Sequence, residues 1–179
     1  IRVLEVEDYR FLEFGDAIEQ SCVFTTDPSW LEYDYTRAML IGALCHDAPE
    51  SALFLGLGAG TLTQACLKFL PLEDVEAIEL RPDVPRLAIE YLGLDDDPRL
   101  YIRIGDALEL LDSAEPADLI FVDLYNDLGP AAGHLAWTFL ENCQKKLAPN
   151  GWLIINQWAT DDGKPLGAAL LRGLYHRHY

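Results

Sequence analysis

The chain has 179 residues, half of them hydrophobic, and carries 30 Asp and Glu against 13 Lys and Arg, a net charge of −17. Its length and apolar content support a domain with a core of its own, while the negative field argues against nucleic acid and anionic membrane as partners and favours small cations. An acidic surface kept for solubility explains the same charge. No apolar run is long enough to span a membrane and no basic-then-apolar leader opens the sequence, so a cytoplasmic protein without a membrane partner is expected.

Residues 3–25 alternate apolar and polar with a period of two, interrupted by Gly15-Asp16, which predicts a small antiparallel β unit over residues 1–28. Asp27 or Ser29 then caps a helix to about Cys45, with Leu31, Tyr35, Ala38, Met39 and Gly42 on one face. Strands are predicted at Ala52–Leu57, Val75–Leu80, Leu100–Ile104, Leu119–Leu124 and Trp152–Gln157. Between and after them fall helices at Thr61–Leu70, Pro82–Leu92, Ala107–Leu111, Gly133–Leu147 and Lys164–Tyr175. Such alternation predicts an α/β fold over residues 29–179, a doubly wound, mostly parallel sheet with helices on both faces. Cys22, Cys45, Cys66 and Cys143 are scattered in apolar contexts, as buried thiols rather than metal or redox pairs would be.

In a sheet of this kind ligands lie beyond the carboxyl ends of the strands, and the chemistry-bearing residues gather there. Gly56, Gly58 and Gly60 follow the first strand and open a helix, as at a nucleotide site; an ordinary tight turn uses the same residues. Glu79 closes the second strand, where a carboxylate can accept both hydroxyls of a ribose. Asp106 follows the third and either caps the helix that starts at Ala107 or meets a base. Asp123 ends the fourth, an apolar strand that desolvates it, and is a general base or a turn cap. Asn156 and Gln157 end the fifth.

Taken together, these residues resemble the spermidine synthase (polyamine aminopropyltransferase) family. Phe11–Gln20 is similar to that family's stretch ending in a ligand-facing Gln, and Tyr33–Met39 to its Tyr-His-Glu-Met segment, with Tyr35 on the substrate-side Tyr. Gly56–Gly60 resembles the Gly-Gly-Gly-Asp-Gly loop, Glu79 the ribose-binding acid, and Gly105-Asp106-Ala107 the adenine-side Gly-Asp-Ala. Asp118–Asp123 resembles the strand that delivers the catalytic Asp, and Phe54 stands where many ordinary methyltransferases carry an acid.

The resemblance implies the Rossmann-type fold of the S-adenosylmethionine methyltransferases and a transferase of polyamine biosynthesis. Such an enzyme moves an aminopropyl group from decarboxylated S-adenosylmethionine to a small cationic amine, needs no metal, and forms a homodimer. By that resemblance Asp123 is catalytic. Gln20, Gly56, Gly58, Gly60, Glu79, Asp106 and Ala107 hold the nucleoside donor, and Tyr35 and Asp127 meet the acceptor. The sequence departs from the pattern at Ala59, where the family's Asp grips the donor's ammonium, and at Thr36-Arg37, which replace the His-Glu pair. The second acid of the catalytic loop is replaced by Asn126 or displaced to Asp127. Two rival readings therefore stand: a methyltransferase using S-adenosylmethionine itself, and a non-catalytic homologue that only binds nucleoside. The parent fold adds two strands after the fifth, so truncation at the C-terminal side is expected.

Overall fold

A computed structural model describes residues 1–14, 18–126, 129–130, 133 and 136–157. Three antiparallel strands open the chain, β1 (Arg2–Val6), β2 (Tyr9–Phe14) and β3 (Ile18–Phe24), ordered β1-β2-β3. The period-two reading missed the first reversal, where Glu7 adopts a φ of 55° and turns the chain with Asp8. Glu-Asp lacks the Gly or Asn that usually marks a left-handed turn position, so the pattern runs through it unbroken. The expected turn at Gly15-Asp16 lies outside the described residues.

Helix α1 (Asp34–Ala43) begins later than the cap residues suggested. Asp27 instead folds its own segment: its carboxylate accepts from the Ser29 backbone N–H at 3.2 Å and the Ser29 hydroxyl at 2.5 Å, and its carbonyl from Trp30 N–H at 2.9 Å. The short polar side chain is used for a local turn, a competitor to capping. Tyr33 enters the helix with no side-chain cap.

From there strands and helices alternate. The strands are β4 (Ser51–Leu55), β5 (Asp74–Glu79), β6 (Leu100–Ile104), β7 (Ala117–Val122) and, after a short β8/β9 pair (Tyr125–Asn126 and Gly129–Pro130), β10 (Leu147–Ile155). The helices are α2 (Thr61–Phe69), α3 (Asp83–Tyr91), α4 (Ala107–Leu110) and α5 (Trp137–Lys145). Five strands form one parallel sheet in the order β10-β7-β4-β5-β6. Alternate residues serve opposite faces: Phe54, Leu119 and Phe121 pack with Met39, Leu62 and Cys66, while Leu53, Leu55, Ile120 and Val122 pack with Leu111, Leu140 and Cys143. Both faces are covered, as a parallel sheet requires. The expected α/β, doubly wound sheet behind a small antiparallel unit is the observed architecture.

Boundaries differ at the last elements. α5 starts at Trp137 rather than Gly133, and β10 starts at Leu147, pairs once with Ala117, then bulges through Asn150 at φ 65° before resuming at Trp152. A Pro-Asn-Gly run reads as a loop, and here it is absorbed by β10, which among the described residues is an edge strand of the sheet. The helix expected at Lys164–Tyr175 lies outside the described residues. Cys22, Cys66 and Cys143 are buried as expected, whereas Cys45 is exposed just beyond the end of α1, where its thiol donates to the Ile41 carbonyl at 3.6 Å. Among the described residues no helix is long and apolar enough to cross a membrane.

The N-terminal sheet is seated on the larger one. Leu12, Phe14 and Val23 share an apolar cluster with Ala59, Val84 and Leu92, and Arg81 lies over the Phe14 ring at 4.2 Å. Strand order fixes where a ligand can go: the chain winds outward from β4 to β6, then returns to lay β7 on the other side of β4. The crevice at the carboxyl ends of β4 and β7 is therefore the topological switch point.

Candidate functional site

Gly56 opens the segment after β4 with a φ of 97°, and a Cβ there would run into the backbone carbonyl of Asp123. Gly58 has a φ of 56° and faces β3, where a Cβ would fall 2.5 Å from the Ser21 hydroxyl. The hydroxyl occupies that space because it accepts a bond from Ala59 N–H at 3.1 Å. The glycines thus let the loop pass between β7 and the N-terminal sheet, and Gly60 starts α2 from a left-handed cap. Ser21 was not anticipated, because the contact joins elements far apart in sequence.

Glu79, at the end of β5, is buried and reaches under this loop. One carboxylate oxygen accepts from Leu57 N–H at 3.1 Å and the other from Arg81 N–H at 2.9 Å. A carboxylate offers about four lone-pair sites, so about two stay open to further donors. Glu79 therefore holds the glycine loop in addition to whatever it binds. Gly105 N–H bonds the Glu79 carbonyl at 2.9 Å, which draws the end of β6 alongside. There Asp106 caps α4 by accepting from Leu108 N–H at 2.9 Å and is itself exposed, while Ala107 is buried. Of the two readings of Asp106, the cap is the one the contacts display.

Asp123 lies just past β7, tied to β4 by its own N–H to the Leu55 carbonyl at 2.9 Å. Asn156, just past β10, donates from Nδ2 to Asp123 Oδ1 at 2.8 Å, and Tyr35 on α1 sets its phenol beside the same carboxylate. Burial pushes the Asp123 carboxyl above the usual range, against the pull of Asn156 and Tyr35, which favour its ionised form. The Tyr35 phenol is pushed up in turn, first by burial and then by the neighbouring Asp123 charge. Tyr33 stacks on Tyr35 with ring centroids 5.8 Å apart, and among the described residues its buried hydroxyl has no hydrogen-bond partner, nor do the two buried polar atoms of the Gln157 amide next to Asn156.

The model of the spermine/spermidine synthase domain matches residues 32–160. The chain belongs to that family. A polyamine aminopropyltransferase of Chromobacterium violaceum is 28% identical over 170 residues, covering 90% of this chain and 62% of the relative. Spermidine synthase bound to the transition-state analogue AdoDATO superposes with a TM-score of 0.69 at 22% identity, over 89% of this chain and 58% of that one. Human methyltransferase-like protein 13 in complex with SAH gives a TM-score of 0.69 at 25% identity, over 80% and 72%. The chain spans between 55% and 62% of the length of the first curated relatives it matches.

Against the pattern of the spermine/spermidine synthase family, the departures acquire physical reasons. Ala59 is 3% exposed and packs into the apolar cluster under the N-terminal sheet, so its position is closed to a charged group unless the sheet repacks. Thr36 and Arg37 have become structural: the Thr36 hydroxyl donates to the Tyr33 carbonyl at 2.7 Å, and Arg37 Nε donates to the Leu31 carbonyl at 2.6 Å. Asp127 lies outside the described residues, as do the side chains of Asn126 and of Gln20, whose backbone belongs to β3. A separate cleft of about 300 Å³ lies near the opposite, amino edge of the sheet, between Asp27, Lys68, Asp97 and Arg99. Its charges satisfy one another, with Lys68–Asp27 at 3.1 Å and Arg99–Asp97 at 2.6 Å, so it has little to offer a ligand.

Proposed function

We propose that this chain is the nucleoside-binding core of an aminopropyltransferase, and that Asp123 is the base that takes a proton from a small amine. The observation that carries the reading is the meeting, at the switch point of the sheet, of the glycine loop with a half-buried carboxylate held by Asn156 and flanked by Tyr35.

Gly56, Gly58 and Gly60 provide the close approach of backbone that a nucleoside needs, Glu79 supplies its open lone pairs to the ribose hydroxyls, and Asp106 with Ala107 borders the base. By the family resemblance Gln20 is assigned to the donor, and Tyr35 with Asp127 to the acceptor. The donor supplies an alkyl carbon activated by a positive sulfur. The acceptor amine attacks that carbon, the carbon–sulfur bond breaks, and its electron pair stays on sulfur as a neutral thioether. The proton displaced from the attacking nitrogen passes to Asp123. Partial burial suits Asp123 to this work, because desolvation raises the proton affinity of its carboxylate and strengthens its attraction for an ammonium. The excess of acidic residues draws cationic amines toward the molecule.

Homodimer assembly and a cytoplasmic location complete the proposal, and light scattering of the purified chain tests the former. Methyl transfer from S-adenosylmethionine is the second reading, favoured by the apolar setting of Ala59, which leaves the ammonium of a decarboxylated donor without the family's acid. Incubation with each donor separately and identification of the nucleoside released, methylthioadenosine or S-adenosylhomocysteine, decides between them.

A further inference from the structure

We infer that Asn156 is the positioning residue of the reaction, fixing the Asp123 carboxylate in the plane from which it accepts the proton. The inference rests on the functional reading above and goes one step further, by giving Asn156, which that reading uses only as a neighbour of Asp123, a role of its own in the reaction.

Asn156 is held at three points. Its backbone N–H donates to the Val122 carbonyl at 2.9 Å, its carbonyl accepts from the Tyr125 hydroxyl at 3.3 Å, and its side-chain Nδ2 donates to Asp123 Oδ1 at 2.8 Å. The first bond sets the end of β10 against the end of β7, so the amide arrives at Asp123 without freedom to swing away. A carboxylate at a strand end otherwise rotates about its last torsion among many orientations. Here Asn156 pins one oxygen at 2.8 Å while the Tyr35 phenol flanks the same carboxylate, which restricts the directions from which an amine can approach it.

The amide is also the right chemical type. It donates a hydrogen bond yet neither gains nor loses a proton near neutral pH, so it favours ionised Asp123 without competing as acid or base. The titratable groups that face Asp123 among the described residues are Tyr35 from α1 and, through Tyr35, Tyr125 from β8. The Tyr35 phenol is pushed further from neutral pH by its surroundings, so among these groups the acid limb is assigned to Asp123. Replacing the amide by a carboxylate puts two acids within hydrogen-bond distance, and such a pair shares one proton.

The test uses the full chain with decarboxylated S-adenosylmethionine and putrescine as probes. Asn156→Ala is expected to lower kcat roughly ten-fold to a hundred-fold, the usual penalty for a misplaced reacting group, with methylthioadenosine affinity unchanged. The acid limb of its pH profile is expected to move to higher pH, and that of Asn156→Asp further still. In an Asp123→Asn background, Asn156→Ala is expected to cost nothing more. An unmoved acid limb, or an equal loss in both backgrounds, overturns the inference. Should the wild-type chain transfer nothing to putrescine, the functional reading fails on its own, and carbon NMR of the Asp123 carboxyl still decides the positioning. A titration displaced upward by Asn156→Ala supports it, and an unchanged titration overturns it.

Discussion

Glu79→Gln separates the two duties of the carboxylate under the glycine loop. Both oxygens of Glu79 already accept a backbone N–H, from Leu57 at 3.1 Å and from Arg81 at 2.9 Å. Gln keeps the shape but has one acceptor, so its NH₂ must face one of those N–H groups. An orphaned buried donor costs about 1–3 kcal/mol, which for a chain of this size lowers Tm by roughly 2–4 °C per kcal/mol. The same change withdraws a charged acceptor from the proposed ribose site, a loss of about 1.5–3 kcal/mol and hence about one to two decades in Kd for methylthioadenosine. Thermal unfolding reads the first effect and isothermal calorimetry the second. Added methylthioadenosine should raise Tm more for the wild type than for the variant, since only binding to the folded state contributes. Lowered Tm with unchanged affinity would make Glu79 a purely structural strut, and an unchanged Tm would refute the bonding described here.

Asp123→Asn is expected to lower turnover by about two to four decades, the contribution of a general base, without unfolding the chain. Because the Asp123 carboxyl is raised in the folded state by burial, its ionisation costs stability as pH rises from the unfolded value toward the folded one. The variant should accordingly be at least as stable as wild type at neutral pH, and the wild type should gain on it as pH falls, a comparison read by urea unfolding at several pH values. Ala59→Asp is expected to destabilise by several kcal/mol, since it places a carboxylate in the cluster of Leu12, Phe14, Val23, Val84 and Leu92; a variant with wild-type Tm would show that the position opens to solvent. Asp118 clasps the start of β4 through Glu50 N–H at 2.9 Å and Ser51 N–H and hydroxyl at 3.0 Å. Burial works against its ionised form, but these bonds prevail and hold the carboxyl low. Asp118→Ala should thus cost about 1–3 kcal/mol at neutral pH, with a deficit that shrinks as acid protonates the wild-type carboxylate. A deficit independent of pH would count against the clasp.

Legibility in the sequence followed the range of each interaction. The alternation after residue 52, the glycine loop and Glu79 were readable because strand period, positive-φ glycines and a strand-end acid are all local signatures. The order of the strands, and with it the switch point that sets Gly56 against Asp123, was not legible, because strand pairing joins segments far apart in sequence. Glu79 showed its position but not its second duty, since the Leu57 N–H it binds belongs to another strand's loop. Asn156 was visible as a polar residue at a strand end, yet its partner is 33 residues away, a relation that no spacing encodes. Ala59 invited comparison with the acid of its relatives, and only packing reveals that its methyl lies beneath the N-terminal sheet. The turn at Glu7 and the late start of α1 show the converse, local chemistry overridden by tertiary fit or spent on a turn.

The most direct test of the account is a product analysis of the wild-type chain incubated with decarboxylated S-adenosylmethionine and a panel of small amines, followed by mass spectrometry. Methylthioadenosine is expected in step with an amine enlarged by one aminopropyl group, with loss of both in Asp123→Asn. A methylated amine with S-adenosylhomocysteine when S-adenosylmethionine is supplied instead, or no nucleoside product from either donor, would contradict it.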